Sequence, residues 1–223
     1  VNTVVGYTPF ELTDRDNRGE RIVRNTETNL GDFLTDAMRT MMHTDIAMAN
    51  GGGIRTNIPA GNITMGALYA VWPFNNTIRV IRGTGRQIMD ALEVGARTYP
   101  AEDGNFMHVS GLRYRINPAI PSSVQMDENS LFAGVSGSRR IVGVEVMDSC
   151  GNYQPIDPER EYTVAAQSYI GVAGGSNGAL SPLTEIASSM PGDIEVLVNY
   201  IHYLGDTIPA HYVTSAGRII TIK

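Results

Sequence analysis

Three amphipathic helical stretches, scattered among short apolar strands, constrain this chain more than any other feature. The first runs from Thr28 to Met42: Leu30, Phe33, Leu34, Ala37, Met38, Met41 and Met42 share one helical face, and Thr28 or Asn29 supplies the cap. The second, Thr84 to Arg97, turns Ile88, Met89 and Leu92 inward, and the third, Asp193 to Leu204, carries Ile194, Leu197, Val198 and Ile201 on one face. Strand patterns occur at Ile46 to Ala49, Thr77 to Ile81, Met107 to Val109, Leu112 to Ile116, Ile141 to Met147, Tyr162 to Ala166 and Arg218 to Ile222. Thr64 to Val71 reads as a short helix. Helices and strands mix without strict βαβ alternation, so the expected fold class is α+β, a single domain over residues 1–223 with a mixed β-sheet packed by helices. Pro118 to Ser138 is polar and aperiodic and is expected to be a long loop insertion.

With 223 residues the chain can build a core without disulfide or metal staples. Its one cysteine, Cys150, excludes an internal disulfide. No run approaches the roughly 18 apolar residues of a membrane span. The net charge of −6 disfavours nucleic acid as a partner, although a few converging arginines still suit a small anion. The opening Val1-Asn2-Thr3 has neither signal-peptide character nor an initiator Met, which reads as a fragment or a processed chain.

Several chemistries are missing from the sequence. There is no P-loop, and no G-x-G-x-x-G follows a strand. One G-x-S-x-G match spans Gly174 to Gly178, but the preceding strand ends near Ala166 and Ser181-Pro182 follows, so the sharp strand-to-helix turn of a nucleophile elbow is not expected. His43, His108, His202 and His211 all stand outside metal-ligand spacings and read as surface or packing residues. Neither a metal site nor a complete catalytic apparatus is expected in this chain.

Four segments have the composition of ligand loops. Asn50-Gly51-Gly52-Gly53-Ile54-Arg55 follows a strand; its glycines remove bulk, and Arg55 could fork onto an oxyanion or simply be solvated. Val71-Trp72-Pro73-Phe74-Asn75-Asn76 puts two aromatics in a turn, where either could stack on a base or plug the core. Tyr169 to Gly178 fits a loop that wraps a ligand or a mobile linker. Arg21-Ile22-Val23-Arg24 precedes the first helix.

In chain order, Arg24-x-x-x-x-Asn29-Leu30-Gly31-Asp32, Asn50-Gly-Gly-Gly-Ile-Arg55, Ala60-Gly-Asn-Ile-Thr64, Pro73-Phe74-x-Asn76, Gly104-x-Phe106-x-x-Val109-x-Gly111, Tyr169 and Gly174-Gly175 resemble the C-terminal domain of the 5'-nucleotidase and UDP-sugar hydrolase family. The likeness runs from about Arg24 to the final strand. It implies a parent enzyme whose N-terminal metallophosphoesterase domain, absent from this chain, holds two divalent metal ions and an Asp–His pair. The C-terminal domain then supplies the pocket for base and ribose and rotates to deliver substrate. Carried over by position, Phe74 and Tyr169 are the two halves of an aromatic clamp, Arg24 and Arg55 are substrate-contacting arginines, Asn50 and Asn76 are polar contacts, and the Gly104 backbone lies near the base.

The sequence also departs from the family pattern. Ser176 or Asn177 stands where the family has a ribose-binding Asp, and the Tyr169 loop carries extra residues. An arginine that some members carry four residues before Arg24 is here Glu20, with Arg21 beside it. The implied ligand is a nucleotide or nucleoside, AMP-like or a UDP-sugar. The implied partner is a metallophosphoesterase domain in cis or on a neighbouring chain, and the implied location is periplasmic, secreted or at the cell surface. A stand-alone nucleoside-binding module and a degenerate structural domain are the competing readings.

Overall fold

A computed structural model of the chain describes residues 2–171, 175, 178–186 and 190–222. In chain order the elements are β1 (Val4–Thr8), α1 (Asn29–Met42), β2 (Ile46–Asn50), a 3-10 turn (Gly51–Gly53), β3 (Gly61–Thr64), α2 (Met65–Val71), β4 (Ile78–Thr84), α3 (Gly85–Gly95), β5 (Met107–Ser110), β6 (Leu112–Ile116), β7 (Val124–Met126) and β8 (Phe132–Val135). There follow β9 (Ile141–Met147), β10 (Tyr153–Pro155), β11 (Glu161–Gln167), α4 (Ser168–Gly171), β12 (Thr184–Glu185), α5 (Asp193–Tyr203), a second 3-10 turn (Ala210–Val213) and β13 (Ile219–Thr221).

The α+β expectation holds. A five-stranded mixed sheet, ordered β12-β4-β11-β2-β5, lies at the centre. β11 runs parallel to β2 and antiparallel to β4. Strand alternation sends successive side chains to opposite faces, and both faces of β2 and β11 are covered. Ile46, Met48, Val164 and Ala166 join one core with Ile88 and Leu92 of α3 and with a second sheet, β10-β9-β6-β13. Ala47, Ala49 and Ala165 face the other core, where their small side chains receive Leu30, Phe33 and Leu34 of α1 and Leu197 and Ile201 of α5.

Local chemistry sets the helix ends. Thr28 Oγ1 accepts the Gly31 amide at 3.1 Å, and His43 closes α1 in the left-handed region. Thr84 and Gln87 form a reciprocal capping box on α3. Just past its far end Arg140 donates to the carbonyls of Ala96, Arg97 and Tyr99 and so ties down the turn that follows the helix. Residues 118–138 differ from the loop expectation. They contain an antiparallel hairpin, β7–β8, turned by Asp127, whose carboxylate accepts the amides of Asn129 and Leu131. The ribbon has no fully buried face and so lacks the apolar period that marks a strand in sequence.

Of the four histidines, His108 is a core residue. Its Nε2 lies 2.8 Å from the Val23 carbonyl, so that nitrogen carries the proton, and burial lowers its pKa. Nδ1 is buried with no partner among the described residues, and the Cα of Gly31 packs against the ring. A Cβ at Gly31 would stand 2.1 Å from Nδ1. Gly31→Ala is therefore expected to cost roughly 1–3 kcal/mol by overpacking. Urea denaturation measures it, and an unchanged midpoint would mean that α1 shifts freely.

A polar network ties the C-terminal segment to α1. Glu27 accepts the amides of Arg218 and Ile219, and Asp32 accepts that of Ala216 at 2.8 Å. Arg218 pairs with Asp36 at 2.8 Å, and Tyr212 donates to the same carboxylate oxygen. Burial pushes the Asp32 carboxyl up to about 8, against the pull of Arg218. A carboxyl with a raised folded-state pKa keeps a proton that the unfolded chain releases, so stability falls as pH rises from about 4 towards 8. Asp32→Asn should flatten that slope. Denaturation at pH 5 and pH 8 tests this, and parallel slopes for the two proteins would exclude Asp32 as the source.

Candidate functional site

Two neighbouring parallel strands, β2 and β11, release the chain at the same edge of the sheet, at Asn50 and Gln167. The antiparallel neighbours β4 and β5 enter at that edge, preceded by the Phe74–Asn76 and Gly104–Asn105 loops. A crevice outside the carboxyl ends of strands is a recurrent ligand position in sheets of this kind. Here it is a cleft of about 440 Å³, within the range of small-molecule sites.

Five of the residues singled out from sequence line it: Asn50, Phe74, Asn76, Gly104 and Tyr169. Phe74 lies in a loop and Tyr169 in α4, far apart in sequence, and both rings stand largely open, 59% and 53% exposed. Trp72, the other aromatic of its turn, is fully enclosed in the core. Asn76 Oδ1 accepts both the Ser168 hydroxyl, at 3.0 Å, and the Tyr169 amide, at 3.1 Å, so its oxygen positions the opposite aromatic. Gly175 donates its amide to the Tyr169 carbonyl, and its Cα packs on the Tyr169 ring, where a Cβ would come within 2.7 Å of two ring carbons.

The three glycines after β2 nest the loops together. A Cβ at Gly51 would stand 2.1 Å from the Val23 carbonyl, and one at Gly52 2.9 Å from the Gly104 Cα. The Gly104 carbonyl accepts from the Gly52 amide and from Asn50 Nδ2, both at 2.9 Å. Gly53 instead faces the cleft.

Arg24 and Arg55 stand beside the cleft and do not line it. Arg55 donates to the Gly52 carbonyl at 3.0 Å and lies over the Phe74 ring, 6.0 Å from its centroid. Arg24 Nε is buried with no partner among the described residues. Arg21 completes a cationic group: burial first, then the charges of Arg24 and Arg55, lower its pKa, while it bonds the Ile54 carbonyl and lies 3.4 Å from Asp14. Asn177 lies outside the described residues, as do Gly174 and Ser176.

Sequence reasoning missed Gly52, Gly53, Asn105 and above all Gln167 as individual lining residues. Gln167 is the last residue of β11 and is buried, and its Nε2 donates to Asp193 Oδ2 at 2.9 Å. Asp193 opens α5; burial pushes its carboxyl up, opposed by hydrogen bonds from Gln167 and Ile194. The available signal was a polar amide directly after an apolar strand. Among the described residues, no three His, Cys, Asp or Glu side chains gather where they could hold a metal ion, and no helix is long and apolar enough to cross a membrane.

Comparison with known proteins gives a consistent pattern. Residues 4–181 match the model of a family described as 5'-nucleotidase, C-terminal domain. The trifunctional nucleotide phosphoesterase protein YfkN of Bacillus subtilis is 30% identical over 211 residues, covering 93% of this chain and 13% of YfkN. The cell wall protein Lmo0130 of Listeria monocytogenes is 26% identical, covering 100% of this chain and 26% of that protein. Among solved structures, a 5'-nucleotidase precursor from Thermus thermophilus superposes with a TM-score of 0.79 at 31% identity, covering 99% of this chain and 40% of that one. The chain thus spans well under half the length of these relatives.

Proposed function

This chain belongs to the 5'-nucleotidase C-terminal domain family, and from that premise we propose that it is the nucleotide-recognising part of a phosphohydrolase, gripping a base between Phe74 and Tyr169. The observation that carries the reading is the pair of open aromatic rings, from segments almost a hundred residues apart, on one cleft with a polar floor. Stacking on one aromatic contributes roughly 1–3 kcal/mol and tolerates any base. The Arg21, Arg24 and Arg55 group beside the cleft gives a phosphate somewhere to go. Asn50 and Asn76 hold the loops in place, Gly104 lets its backbone approach the ligand, and Asn177 is proposed to reach a ribose hydroxyl. The ligand class is a nucleotide or nucleoside, AMP-like, with UDP-sugars a further candidate.

In the proposed parent enzyme, residues 1–223 act as the substrate domain, and a metallophosphoesterase domain in cis or on a neighbouring chain supplies two divalent ions and the hydrolytic chemistry. The described residues of this chain offer no ligand set for those ions, so its own part is to bind, orient and shield the base. A secreted or surface location is supported by the likeness to the Listeria cell wall protein Lmo0130. Calorimetric titration of the folded chain with AMP and adenosine tests the reading. Heat of binding is expected with both, and AMP should bind more tightly at low salt. No heat with any nucleotide or nucleoside would overturn it.

A further inference from the structure

The floor of the cleft has a donor–acceptor pattern of its own. Asn50 directs its amide nitrogen to the Gly104 carbonyl, and Gln167 directs its own to the Asp193 carboxylate, each at 2.9 Å. Both partners are acceptors, which fixes the orientation of each amide: the NH₂ faces the protein and the oxygen faces away. Asp193, in the first turn of α5, accepts on both oxygens: the Ile194 amide on Oδ1 at 2.9 Å and the Gln167 amide on Oδ2. The two oxygens meet over Gly53. A Cβ there would stand 3.1 Å from Asn50 Oδ1 and 3.5 Å from Gln167 Oε1, and these are the two atoms nearest to that point. Neither oxygen accepts a hydrogen bond from the described residues.

We propose that Asn50 and Gln167, the latter held in place by Asp193, form an acceptor-only floor that selects nucleobases carrying an exocyclic amino group over those carrying an oxo group in its place. The inference rests on the base-binding reading above and adds a chemical preference to it. A flat ring held between Phe74 and Tyr169 points an edge at this floor. An amino group there offers two hydrogens to two waiting oxygens. An oxo group would set a third acceptor against them, and the ring N–H beside it in inosine or uridine brings one hydrogen where the amino group brings two.

The test is calorimetric titration of the whole chain with adenosine, inosine, cytidine and uridine. Adenosine should bind more tightly than inosine, and cytidine more tightly than uridine, each by about tenfold or more. Asp193→Asn removes the constraint on the Gln167 amide, which can then turn its NH₂ to the ligand, so the amino preference should collapse. Gly53→Ala puts a methyl group at the meeting point and should lower adenosine binding to the level of inosine. Gly53 is outside the left-handed backbone region, so this variant stands if Asp193→Asn fails to fold. Equal affinities in the wild type, or a preference for inosine or uridine, overturn the proposal while leaving the base-binding reading intact. Binding of none of the four removes both.

Discussion

Phe74→Ala and Tyr169→Ala are each expected to weaken adenosine binding by roughly 5- to 150-fold, the equivalent of about 1–3 kcal/mol of stacking. Both rings are more than half exposed, so removing either leaves no cavity in the core, and the thermal midpoint should hardly move. That combination separates a binding role from a packing role. For Tyr169 the loss should sit at the high end, because Gly175 and Asn76 hold it in place from two sides. The Arg55 guanidinium lies 6.0 Å from the Phe74 centroid, so Phe74→Ala should also loosen the placement of a phosphate and weaken AMP more than adenosine. Unchanged dissociation constants in both single variants, on folded protein, would detach the clamp from the function altogether.

The second large effect concerns stability. Arg218→Met should destabilise the domain by about 3–5 kcal/mol, because it leaves a buried carboxylate without its cation. Arg218 and Asp36 are each only 14% exposed at the side chain and lie 2.8 Å apart, and Asp32 is nearer the interior still, 3.7 Å from the same guanidinium. Screening by water is therefore weak there. For a domain of this size the thermal midpoint should drop by roughly 6–20 °C. Differential scanning calorimetry measures it. A shift of a degree or two would mean that water enters the site and takes over the role of the guanidinium.

The longer helices α1, α3 and α5 were legible because each buries one stripe, and that stripe repeats at the helical period in the sequence, whereas the four-residue α4 read as part of a loop. Strands β6 and β9 were legible for the same reason at period two, and β2 and β11 as short apolar runs buried on both faces. β1, β3, β10 and β12 were not: they are two to five residues long and pair at edges, where little apolar burial marks them. In the β7–β8 hairpin the turn chemistry of Asp127 was in plain view, but the polar ribbon around it read as loop. At the site, family resemblance located the walls, through Phe74 and Tyr169. It did not reveal that the Asn76 oxygen anchors the start of α4, nor that Gln167 forms part of the floor. Both facts depend on pairings across about ninety and twenty-six residues, which no local pattern records.

The Asn76 oxygen has one more consequence. It sits two residues from Phe74 and grips the backbone of Tyr169 directly, so the two jaws of the cleft are riveted to each other and not merely to the scaffold. A change at this one side chain, such as Asn76→Ala, would therefore disturb both walls of the cleft together.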